Sequence, residues 1–378
     1  MMSKTKQILE VLNAFDPLFQ NFYPWLAGQY DPSYGGFYYA ASSKPRAHSC
    51  DTHAPKSPEF QPDIESTGQA VHILENSNLL PQMPEKMRRQ LISFFQKRQT
   101  PEGYFFDPHN NMRNIERMVG RALMYSTTSL EALGARPLYS LPGSNENRAT
   151  LPEHLKSLAA LKKWIAERPW HNAWMACDNI QANDVYLRAM PPAEAEKYIG
   201  FICNHLLEHQ DPQTGLWGEG RPYIKISGAF KLALFYRNIG KPMPRADLIY
   251  QSILDTLHND ISEDMCWTRN PMDLLLVLKR QLETYSEDDI LDILSITYQN
   301  LKQYLKPDGG FSRHVNCSLE IPNNVPLGKG LVEGDMNAST QALRIRKTAY
   351  EVSGHIEKMN YLEQYTKDFY DQHSELRQ

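Results

Sequence analysis

Cysteine is scarce and odd in number, with five residues in 378, at positions 50, 177, 203, 266 and 317. So small and dispersed a set does not compose a disulfide framework, and free thiols in a reducing cytoplasm are expected. Long apolar runs are lacking as well. No stretch approaches the roughly 18 residues that suggest a membrane span, and the polar start MMSKTKQ has no apolar signal core behind it. There is no run of Lys and Arg, and the formal net charge of −4 is small for this length, which argues against a nucleic-acid partner. Alternating apolar and polar runs of strand type are missing too. What is present is the composition of a globular protein with a sizeable core, 41% hydrophobic and 11% aromatic.

Apolar spacings of three and four recur nearly everywhere, so the chain reads as all-α. The helical segments are of two kinds. Some carry charge on one face, as in PEKMRRQLISFFQKRQ, and suit an exterior position; these lie near 5–24, 82–98, 152–167, 193–209, 244–259, 287–305 and 358–373. Others are small and apolar nearly all round, as in ISGAFKLALFYRNIG, and suit burial; these lie near 63–79, 117–133, 174–190, 223–239, 265–283 and 335–353. Their alternation predicts one (α/α)6 toroid of inner and outer helices over residues 1–378, without a linker. The long stretches 38–62 and 312–334 precede inner helices and are expected at the mouth of a central funnel.

One turn is written four times: QYDPSYGGF, QTPEGYF, QDPQTGLW and QYLKPDGGF. Each starts from a Gln at the end of an outer segment (Gln29, Gln99, Gln210, Gln303) and carries a Pro that stops the helix. Each then has a Gly suited to positive φ (Gly35, Gly103, Gly215, Gly309) and an aromatic two residues later (Phe37, Phe105, Trp217, Phe311). The expected device is a staple: the Gln amide bonds orphan backbone groups of neighbouring helix ends while the ring packs beneath the reversal. This pattern resembles the QW motif of squalene cyclases, echoed in the β subunits of protein prenyltransferases. The resemblance implies membership of that α/α-toroid superfamily.

In such a ring, the first turns of the inner helices face the funnel. Two of them are alike, DIESTGQAV from Asp63 and DMNASTQAL from Asp335, and an Asp in that place caps a helix. DIEST also resembles the DxDDT signature of class II terpenoid cyclases, whose middle acid protonates an alkene or epoxide. On that resemblance Asp63 matches the first acid and Glu65 the proton donor, while Ser66 replaces the third acid. DDILD, at Asp288, Asp289 and Asp292, matches the magnesium-diphosphate motif of class I terpenoid synthases. It follows Ser286 at a helix start, where capping explains it. HSCDTH places His48, Cys50, Asp51 and His53 on one loop, and His314 with Cys317 on another, types that bind zinc or carry protons. Without a second half of ligand spacing no cofactor is expected, and zinc at this His/Cys loop is the alternative, against a polar loop that closes the mouth. The rim segments WGEGRPYIKISG and WMACDNIQAND offer Trp217, Glu219, Tyr223, Lys225, Trp174 and Asp178 to a sugar ring or a cation.

Three functions stay open. The first is an enzyme resembling terpenoid cyclases, with Glu65 assisted by Asp63 as general acid on a hydrophobic or isoprenoid-like substrate. The second is a glycoside hydrolase or lyase taking an oligosaccharide, with Asp63 or Glu65 opposite Glu333 or Asp335. The third is a non-catalytic binding toroid.

Overall fold

The computed structural model describes residues 3–45, 60–141, 152–282 and 285–376. It is predominantly helical, with a single two-stranded sheet among the described residues. In chain order the main elements are α1 (Lys4–Ala14), α2 (Phe22–Gln29), strands β1 (Tyr30–Asp31) and β2 (Gly36–Phe37), α3 (Ile64–Asn76), α4 (Glu85–Gln96), α5 (Glu116–Ala132), α6 (Leu158–Ala166), α7 (Ala173–Gln181), α8 (Asp184–Ala189), α9 (Pro192–Glu208), α10 (Pro222–Asn238), α11 (Ala246–Asn259), α12 (Met265–Leu278), α13 (Glu287–Tyr304), α14 (Met336–Ser353) and the single turn α15 (Glu363–Thr366). The chain divides into two compact units. One comprises Met1–Asn13, Thr150–Asn300 and Ile345–Lys358; the other comprises Ala14–Ala149, Leu301–Arg344 and Met359–Gln378.

Three expected helices are broken, each for a local reason. The segment 5–24 becomes α1, a 3₁₀ turn at Asp16–Phe19 and α2, because Pro17 lacks an N–H and disfavours helical backbone just before it. The segment 174–190 becomes α7 and α8. At the break, the Asn183 amide donates to the carbonyls of Asn179 and Ile180, a local alternative to helix bonding. The segment 358–373 keeps one α turn, preceded by Leu362 in left-handed backbone at φ 59°.

The repeated turns are miniature antiparallel hairpins. Tyr30 pairs with Phe37, Gln99 with Phe105 and Leu305 with Phe311, while Asp211 N–H donates to Leu216 O. All four aromatics are at most 1% exposed, and all four glycines have positive φ, between 68° and 95°. Gly309 also touches backbone, since a Cβ there would lie 2.3 Å from Asn21 O. The Gln side chains differ. Gln99 binds the segment beyond α5, accepting from the N–H groups of Leu138 and Tyr139 and donating to Tyr139 O. Gln210 donates to Gly215 O and to Pro244 O. Gln29 donates within its own helix to Trp25 O, whereas Gln303 is exposed.

Among the described residues Cys177, Cys203, Cys266 and Cys317 are free thiols, and no helix is long and apolar enough to cross a membrane. Gln99→Ala is expected to cost about 1–3 kcal/mol, because it strips two backbone donors of their acceptor. Gln303→Ala should fall within about 0.5 kcal/mol of the parent. Urea unfolding of both variants checks this, and equal losses would contradict it.

Candidate functional site

The start of α3 is where chemistry concentrates. Helices expose N–H groups at their first turn, and buried ones require acceptors. Asp63 caps α3, its Oδ1 accepting from Ser66 N–H at 2.9 Å. Ile64 N–H is taken by both oxygens of Asp107, at 3.2 and 3.1 Å. Asp107 lies two residues beyond Phe105, the aromatic of the second turn, and it is itself fixed by the Arg98 guanidinium at 3.0 Å. Arg98 in turn lies 3.5 Å over the Phe94 ring on α4.

Two carboxyl groups thus share one helix start, both less than 5% exposed. Burial and the neighbouring Asp107 charge push the Asp63 carboxyl up to about 8, against the smaller opposing effects of the Ser66 hydroxyl and N–H. Burial also raises Asp107, opposed chiefly by Arg98. Asp63 Oδ2 is buried and has no hydrogen-bond partner among the described residues. The pair borders a cavity of about 10 Å³, room for about one water molecule, whose other walls include Met112, Met118, Ala122, Val325 and Leu327.

Glu65 has a different setting. Arg121 on α5 grips both its oxygens, Nε to Oε2 at 2.9 Å and Nη2 to Oε1 at 2.5 Å. Asn323 and Gln69 add amide donors to Oε1. The approach of α5 is possible because α3 has Gly68 there: a Cβ would lie 2.7 Å from the Tyr125 Cβ. Bidentate pairing of this kind is the geometry of a carboxylate ion pair.

Asp335 repeats the cap at α14, with Oδ1 accepting from Ala338 N–H and Oδ2 from Arg313 N–H. Burial raises its carboxyl to about 6. Tyr39 is buried beside it, and burial together with the Asp335 charge raises the phenol well above its usual range. Glu333 is bound through both oxygens to Ser42, by its N–H and its hydroxyl. His314 is half-buried, its backbone paired with Cys317 O and the Ser312 hydroxyl.

The candidates from the two rim segments lie in the other unit. Trp217 is 1% exposed and donates its indole N–H to Leu206 O. Tyr223 is buried and stacks on Trp267 at 5.7 Å. Glu219 is exposed, Lys225 and Trp174 are half-buried, and Asp178 pairs with Lys231 at 2.7 Å. The DDILD acids sit at the start of α13, each with its own partner: Lys4 for Asp288, Tyr250 for Asp289 and His258 for Asp292. Ser286 caps that helix through Asp289 N–H. His48, Cys50, Asp51 and His53 lie outside the described residues. Among the described residues no group of three or more His, Cys, Asp and Glu is placed to hold a metal.

No family model and no curated protein matches this chain. Sequence reading missed Asp107, Arg98, Arg121 and Asn323, yet one signal for Asp107 was present. The residue two after each turn aromatic meets a helix start: Tyr39 O accepts from Met336 N–H, Asp107 from Ile64 N–H, and Glu219 O from Ala173 N–H, while Arg313 N–H donates to Asp335. The hydroxyls of Thr67 and Ser339, four residues after Asp63 and Asp335, accept the N–H of Phe37 and Phe311.

The raised Asp63 carboxyl has a consequence for stability. The folded chain holds a proton that the unfolded chain has released, so stability falls as pH climbs from 3.8 toward about 8. Asp63→Asn is expected to lose less stability than the parent between about pH 5 and about pH 8, measured by urea midpoint. An equal loss would contradict the assignment.

Proposed function

We propose that this chain is an enzyme of general-acid chemistry, resembling the terpenoid cyclases of the α/α-toroid superfamily, with Asp63 as proton donor to the alkene or epoxide of a hydrophobic, isoprenoid-like molecule. The observation that carries this reading is Asp63 Oδ2, buried and without a partner among the described residues, on a carboxyl that borders a mostly apolar cavity. A donor must hold its proton at working pH and present it without competition. Burial and the Asp107 charge favour the first condition, and the unpaired oxygen the second.

The roles within DIEST change accordingly. Glu65, gripped by Arg121 and two amides, makes a poor donor, so the acid is placed on Asp63. A ring of hairpins is supported by the order of contacts. The α3 start is met by the first and second turns, and the α14 start by the fourth and first. The glycosidase reading has less support, since both oxygens of Glu333 and both of Asp335 are already bonded to protein.

The test is turnover in D2O with acyclic isoprenoids bearing a terminal alkene, on which the donated deuteron ends as a carbon-bound label. The expected product carries one solvent-derived deuterium. Asp63→Asn should lower the rate by about 10²–10⁴-fold, the usual contribution of a general acid, and Glu65→Gln should lower it far less. Product without deuterium, or full activity in Asp63→Asn, would overturn the proposal.

A further inference from the structure

The cavity beside Asp63 holds about one water molecule, so a substrate reaches that carboxyl only if a wall moves. Two of its walls, Val325 and Leu327, belong to the segment 313–334. The base of this segment is tied down. Ser318 N–H donates to Leu331 O, the Ser43 hydroxyl donates to Leu327 O at 2.6 Å, and Glu333 is bound by Ser42. Its tip is different. Asn323 and Asn324 are consecutive residues in left-handed backbone, at φ 56° and 68°, a conformation that Asn tolerates at some cost. Asn323 Nδ2 donates to Glu65 Oε1 at 3.0 Å, and Arg121 holds that carboxylate from the other side. Ile321 beside the tip is 52% exposed.

We infer that Glu65 is a positioning residue: through Asn323 it latches the tip of the 313–334 segment over the cavity, so that Val325 keeps water from Asp63 until the tip lifts to admit substrate. The inference deepens the reading of Asp63 as a buried acid and rests on it. It also gives the second acid of DIEST a function that needs no proton transfer. The charged and titratable groups facing Asp63 are Asp107, which carries Arg98 and lies beside His109, and Glu65 on its own helix. The segment contributes apolar side chains to the cavity, so its departure acts on Asp63 through hydration.

The test uses the full chain and two readouts. The first is hydrogen exchange over 318–331, with α9 as internal control. The second is the pH at which the Asp63 carboxyl ionises, followed in the infrared and assigned by its loss in Asp63→Asn. Asn323→Gly keeps left-handed backbone accessible and removes only the amide. It is expected to speed exchange of the segment by about tenfold or more, as for a lost hydrogen bond to a charged group, and to bring Asp63 toward the ordinary carboxylate range. Glu65→Ala should act alike, and the double variant should add little to either. Unchanged exchange in Asn323→Gly, or faster exchange with Asp63 unmoved, would overturn the latch. An Asp63 that is already ionised at neutral pH in the parent would instead overturn the acid reading, which separates the two failures.

Discussion

Buried helix starts need acceptors, and that constraint organises this protein. Each repeated turn brings a residue, two beyond its aromatic, to the first turn of a helix. Where that residue contributes only backbone, as with Tyr39 and Glu219, a donor is satisfied and nothing else follows. At α3 the residue is Asp107, and its side chain does the accepting. A second carboxyl is thereby set against the capping Asp63. The proposed acid arises from this one substitution of side chain for backbone in an otherwise repeated joint.

Two aspartates in equivalent sequence settings consequently have different prospects. Asp335 has both oxygens occupied by N–H donors, which oppose the effect of its burial. Asp63 has one donor on one oxygen and a like charge nearby. Charges buried together are costly unless compensated, and Arg98 compensates Asp107 directly. The proton therefore belongs on Asp63, the member of the pair without a cation at hydrogen-bond distance. Glu65, two residues on, has its two oxygens taken up by a bidentate guanidinium instead.

Much of the helical content was legible because apolar spacing is a strong signal over ten or more residues. The breaks at Asn183 and Leu362 depend on local backbone bonding and conformation that spacing does not register. The four turns were legible down to the sign of φ at Gly35, Gly103, Gly215 and Gly309. The fate of each Gln was not: Gln303 points to solvent where Gln99 spans to the segment beyond α5, a matter of which chain end passes nearby. At the candidate site, DIEST lies at the start of α3, where the buried carboxyl groups gather. Choosing between its acids required partners from 98, 107, 121 and 323, brought in by tertiary packing.

The central claim is that burial, together with the Asp107 charge, keeps a proton on Asp63. The most direct measurement is a carboxyl titration of Asp63, by isotope-labelled aspartate, in the parent chain and in Asp107→Asn. The account predicts a protonated Asp63 at neutral pH in the parent and ionisation at distinctly lower pH once the neighbouring charge is gone. An ionised Asp63 in the parent at neutral pH, or a midpoint indifferent to Asp107, would contradict it.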